Sequence, residues 1–195
     1  MNSLQSNRKD LVISVYKDKR SVFRLTDIAQ LIGETDFESL NKRLNYFVRK
    51  GKIMNPRKGI YAKTDYNPEE LACIIYTPSY ISLEYVLQKS GVLFQYDTAI
   101  TAVSYLSRKI QVAEKTITFR KIKGEILVNT AGIKRLDSHV NIASPERAFL
   151  DMLYLNPNYY FDNLNPLDMS IAEDLLGIYQ SASLSGRFNK LVIND

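Results

Sequence analysis

Lys42, Asn45, Tyr46 and Arg49 share one side of a possible helix, and each can donate hydrogen bonds. At about 100° per residue they lie roughly opposite a second stripe, Leu40, Leu44, Phe47 and Val48. A helix with such an outer face can offer Asn and Lys donors to base edges and Arg to phosphates. Ser39 adds a hydroxyl, and Arg43 and Lys50 sit on the flanks. Glu38 is the acidic exception, able to accept from a cytosine amino group or to cap the helix. Further on, Arg57 and Lys58 fall in the turn Asn55-Pro56-Arg57-Lys58-Gly59, where they would reach a phosphate or the minor groove. A lone helix of this composition reads first as an ordinary solvated face, so the surrounding elements have to decide.

Catalytic chemistry has no comparable support. The chain lacks G-x-x-x-x-G-K-[ST], G-x-G-x-x-G, H-E-x-x-H and G-x-S-x-G. No acidic residue is followed two positions later by Lys, so the pairing of many metal-dependent nucleases has no candidate. A nuclease would need an acidic cluster from Asp137, Glu146 and Asp151, and no spacing supports one. The single histidine, His139, cannot build a multi-His metal site, and it flanks a short apolar run as a structural residue would. Cys73, within Leu71-Ala72-Cys73-Ile74-Ile75, reads as a small buried hydrophobe. Glu146 and Arg147 could act as a functional pair, although a capping carboxylate with a local salt bridge explains them more simply. No catalytic residue, metal site or cofactor is expected.

Composition narrows the class. The 195 residues are 45% hydrophobic and 24% charged, enough apolar material for one ordinary domain or two small ones. One cysteine excludes an internal disulfide scaffold, and the apolar stretches are too short to span a bilayer. The polar start, Met1 to Asp10, lacks the apolar core of a secretory signal, so a cytoplasmic protein is expected. The net charge of +5 is unevenly placed. Residues 1–66 hold 14 basic and 7 acidic side chains, a balance of +7; residues 67–195 hold 12 and 14, a balance of −2. A basic module on a near-neutral body suits a polyanion partner for the first part.

The elements agree with that division. Asn7 to Lys19 carries Leu11, Val12, Val15 and Tyr16 on one helical face. Thr26 can cap a short helix that Gly33 ends, and Asp36 can cap a third helix ending at Gly51. Lys52-Ile53-Met54 and Ile60-Tyr61-Ala62 around the Pro/Gly turn read as a β-hairpin. Helix, helix-turn-helix and basic hairpin in this order predict a winged helix-turn-helix DNA-binding domain over residues 1–66.

Residues 67–195 predict a second, α+β domain. Asn67-Pro68-Glu69-Glu70 starts a helix through Tyr76, and Ser82 to Ser90 reads as another. Strands are expected at Thr98 to Leu106, Lys115 to Ile122, Glu125 to Val128 and His139 to Ala143. Ser144-Pro145-Glu146 begins a helix, and two more follow at Ile171 to Tyr179 and Ser181 to Val192. Thirteen tyrosines, several around Tyr154, Tyr159 and Tyr160, fit a contact surface or burial under a loop.

The order of segments also resembles a known family. The pieces that carry the likeness are Arg57-Lys58-Gly59-Ile60-Tyr61, then Tyr80-Ile81-Ser82 through Gly91, then Ile142-Ala143-Ser144-Pro145-Glu146-Arg147-Ala148-Phe149-Leu150-Asp151. Over about residues 8 to 155 the chain resembles the AbiEi-like antitoxins of AbiE-type abortive-infection systems, type IV toxin–antitoxin pairs. The resemblance implies a repressor that binds repeats in its own promoter. It also implies a C-terminal domain that counters a nucleotidyltransferase-like toxin without needing a stable complex. A stand-alone winged-helix transcription factor whose C-terminal domain senses a ligand or partner is the alternative, with a DNA-targeted nuclease behind it.

Overall fold

Leu11 and Val15, four residues apart, are both fully buried, which gives the helix over residues 11–17 (α1) its inward face. The computed structural model describes residues 11–95, 97–137 and 139–193, so the expected helix start at Asn7 and the polar segment Met1 to Asp10 lie outside it. A strand absent from the sequence expectation, β1 (Val22–Arg24), follows α1. Helix α2 (Leu25–Ile32) begins before the expected cap, which puts Thr26 inside its first turn. Arg24 holds the cap position instead, its backbone N–H donating to Asp27 Oδ2 at 2.7 Å. Gly33, at φ +69°, ends α2 in the left-handed conformation that glycine adopts without a Cβ penalty.

Asp36 caps α3 (Phe37–Arg49) as its sequence position suggests, with Oδ1 accepting from the N–H groups of Glu38 and Ser39, each at 3.0 Å. The hairpin is β2 (Met54–Arg57) and β3 (Ile60–Ala62), and β1 joins on the far edge to give an antiparallel sheet of order β1-β3-β2. Its turn is tighter than expected, only Lys58 and Gly59. Pro56 cannot donate to the ladder, and the Asn55 side chain takes over by donating to Arg57 O at 2.9 Å and Ile60 O at 2.7 Å. The core under these elements joins Leu11, Val15, Phe23, Ile28, Leu40, Leu44, Phe47, Ile53 and Tyr61.

Helix α4 (Pro68–Ile75) starts where expected, with Asn67 Oδ1 accepting from Glu69 N–H at 2.9 Å. It belongs to the first compact unit, however, which extends through Ile75 and takes in Asp137 and His139. The cause is Glu70. Its buried carboxylate accepts from the Ser21 N–H at 2.8 Å, from the Ser21 hydroxyl and from the Val22 N–H. The boundary expected at Tyr66 therefore falls nine residues later in the chain.

The second unit is mixed α+β. Its six-stranded sheet has the order β6-β7-β5-β4-β9-β8, from β4 (Ser79–Ile81), β5 (Ile100–Ser104), β6 (Arg108–Val112), β7 (Lys115–Lys121), β8 (Ile133–Arg135) and β9 (Asn141–Ala143). Pairings β4–β9 and β5–β7 are parallel and the rest antiparallel. Its helices are α5 (Glu84–Lys89), α6 (Gly124–Val128), α7 (Pro145–Leu155), α8 (Met169–Leu175) running into a 3-10 turn (Leu176–Tyr179), and α9 (Ala182–Ile193). The run Glu125 to Val128 is thus a helical turn and not the expected strand. Among the described residues no helix is long and apolar enough to cross a membrane.

Candidate nucleic-acid interface

Burial of Leu40, Leu44 and Phe47 fixes which side of α3 remains outside. Glu38, Lys42, Asn45, Tyr46 and Arg49 follow one another at i, i+4, i+7, i+8 and i+11 along the exposed side. Lys42 is engaged with Glu38 at 2.6 Å, both side chains well exposed, an i,i+4 pair that solvent screens strongly. Tyr46 packs edge-on to Phe47, with centroids 5.4 Å apart, and the Lys50 ammonium lies 5.9 Å from the Tyr46 ring centre. Asn45 and Arg49 are exposed, and Arg49 forms no ion pair among the described residues.

Two expected members are less exposed. Arg43 is half-buried and reaches back to Glu34 at 3.2 Å, which ties α3 to the segment between the helices. Ser39 is half-buried, its backbone N–H held by Asp36. On the hairpin, Arg57 is the last residue of β2 and half-buried, while Lys58 stands exposed at the turn. Gly59, at φ +76°, permits that turn.

Asn41 was missed by sequence reasoning. Its Oδ1 accepts from the Tyr61 hydroxyl at 2.7 Å and so joins α3 to strand β3. The only signal was an amide flanking the basic stripe, which is too common to single out. In the segment that connects α1 to β1, Asp18 and Arg20 form an ion pair. The Arg20 side chain donates to both Asp18 oxygens, at 3.0 and 2.8 Å, and holds that carboxyl below its ordinary range.

The acidic residues a nuclease would need are divided between the two units. Asp137 falls in the first unit, and Glu146 and Asp151 in the second. Among the described residues no group of three His, Cys, Asp or Glu side chains could hold a metal. His139 is exposed at φ +60°, and Cys73 is buried within α4. Phe161 is buried against Phe149, and Tyr160 stands in solvent.

Arg147 and Asp151 form a knot in the core of the second unit. Both are fully buried, one helical turn apart on α7, and joined from Nε to Oδ1 at 3.3 Å. The other Arg147 N–H groups donate to the carbonyls of Ile126, Asn129 and Ala131 and to the Tyr80 hydroxyl. Asp151 also accepts from the hydroxyls of Tyr179 at 2.7 Å, Tyr80 at 3.2 Å and Ser82 at 2.8 Å. Burial pushes the Asp151 carboxyl and both phenols upward, and for Asp151 the Arg147 charge and these donors oppose it. The guanidinium lies 5.3 and 5.5 Å from the Tyr80 and Tyr179 ring centres. With its polar atoms shielded from solvent and mutually bonded, this cluster holds strand β4, helix α6 and the 3-10 turn to α7.

No protein-family profile matches the chain, and no curated protein does. A solved structure is similar in fold: the crystal structure of RV2827C protein from Mycobacterium tuberculosis, with a TM-score of 0.57, 16% identity, and coverage of 95% of this chain and 76% of that one.

Proposed function

We propose that this chain is a sequence-specific, double-stranded-DNA-binding repressor, with its first unit a winged helix-turn-helix. The observation that carries this is α3: an apolar stripe packed inward and a stripe with Lys42, Asn45, Tyr46 and Arg49 facing out. The element order α1-β1-α2-α3-β2-β3 and the antiparallel three-stranded sheet support a winged helix-turn-helix. In this mechanism Lys42, Asn45 and Tyr46 address base edges in the major groove. Arg49, Lys50, Arg57 and Lys58 neutralise phosphates. Lys42 exchanges Glu38 for DNA at little cost, since their pair is solvent-exposed.

The second unit acts as antitoxin to a nucleotidyltransferase-like toxin, on the strength of the AbiEi resemblance around Tyr80 to Gly91 and Ile142 to Asp151. Two of the residues in those stretches, Tyr80 and Ser82, bond to a third, Asp151. Their pattern is therefore suited to building the domain, and toxin neutralisation would be carried by its surface. The full chain co-expressed with the toxin encoded beside it should restore growth. Continued toxicity with the antitoxin chain well expressed would contradict that role.

A further inference from the structure

The second unit contains a polar cleft of about 250 Å³, below the roughly 300–1,000 Å³ of sites for drug-sized ligands. Its floor is one face of the sheet. Thr116, Thr118 and Arg120 alternate along β7 with the buried Ile117, and Lys109 of β6 stands directly across from Thr118. Its wall is Glu84, the first residue of α5. The backbone there is anchored to the sheet, since Thr101 Oγ1 accepts from Tyr85 N–H at 3.0 Å and donates to Ser82 O at 2.7 Å.

Glu84, Lys109 and Arg120 line this cleft without forming an ion pair among the described residues. Glu84 Oε2 is shielded from solvent and has no hydrogen-bond partner. A ligand in the cleft can reach the other carboxylate oxygen, Oε1, which also has no partner among the described residues, and an N–H donor there would give Glu84 the hydrogen bond it lacks. Neither Lys109 nor Arg120 forms an ion pair among the described residues. Asp97 also lines the cleft, with one oxygen already committed to the Ala99 N–H at 2.9 Å.

We propose that this cleft binds a small zwitterion of the α-amino-acid class, its carboxylate on Arg120 and Lys109 and its ammonium on Glu84. The volume suits a small ligand. A cation alone would leave the two basic side chains unmatched, and an anion alone would leave Glu84 so. The threonine hydroxyls of the floor supply hydrogen bonds of either sense. The proposal is independent of DNA binding, since every residue it uses lies in the second unit.

Isothermal titration calorimetry of the full chain tests it without nucleic acid. The probes are the proteinogenic L-amino acids, with propionate and propylamine as the two half-ligands. At least one amino acid should bind, and each half-ligand at least about tenfold more weakly. Glu84→Gln should weaken the amino acid by about tenfold or more and leave propionate unchanged, while Lys109→Met, on an exposed edge strand, should weaken both. Circular dichroism establishes that each variant is folded. No binding by any amino acid at millimolar concentration overturns the proposal. So does propionate binding equally well, or an amino acid indifferent to both substitutions.

Discussion

The Tyr61 hydroxyl on β3 donates to Asn41 Oδ1 on α3 across 2.7 Å, linking the hairpin to the helix that would read DNA. Tyr61 is otherwise buried among the apolar residues of the first unit. Tyr61→Phe keeps that packing and removes the link. It should cost about 1 kcal/mol in denaturant unfolding, the net value of one such bond. In DNA-binding assays it should lower discrimination between specific and random duplexes, because helix and hairpin lose a common anchor. An unchanged specificity ratio would show that the link only stabilises.

The hairpin itself should contribute without regard to base sequence. Arg57→Ala with Lys58→Ala should weaken binding to all duplexes and flatten the dependence of log K on log salt by up to about two units. A salt titration with an unaltered slope would remove the hairpin from the interface.

Arg147 and Asp151 give the sharpest stability prediction. Arg147→Met leaves the buried Asp151 carboxylate without its cation and should cost about 3–5 kcal/mol. Asp151→Leu added to it should restore part of the loss, since an unpaired buried charge is then gone. Gly132 lies against the same arginine. A Cβ there would fall 2.9 Å from Arg147 Cβ, and φ is +72°, so Gly132→Ala should destabilise through both the clash and the backbone. Thermal unfolding of these variants checks all three.

Asp18 sets an acid limit. Its folded pKa is lowered, chiefly by the hydrogen bond from the Arg20 side chain. The stabilisation is therefore full above the unfolded carboxylate's pKa, about 3.9, and is lost as pH falls through the lower folded value. Asp18→Asn should be less stable than the parent at neutral pH, with the gap closing in strong acid. A gap constant with pH would assign the effect to packing.

The sequence made α3 legible because three signals coincide there: the Asp36 cap, the Leu40/Leu44/Phe47 stripe and the glycine that follows. It hid β1, β4 and β8, each three residues long and too short to show a period. Edge strand β6 carries Arg108 and Lys109 outward, so its composition reads as a loop. Glu125 to Val128 reads as a strand because four residues carry no helical repeat. Its helical turn depends on a distant partner, Arg147, whose Nη2 donates to the Ile126 carbonyl. Arg43 shows the same limit at the site: the helix wheel puts it on a flank, but its engagement by Glu34 is a tertiary fact.

Selection from a random duplex library by the full chain tests the central claim most directly, followed by binding of the selected and scrambled duplexes at fixed salt. An enriched sequence should emerge, and Asn45→Ala should lose about 1–3 kcal/mol on it and much less on the scrambled duplex. Absence of any enriched sequence, or an equal loss on both duplexes, would contradict base reading by α3.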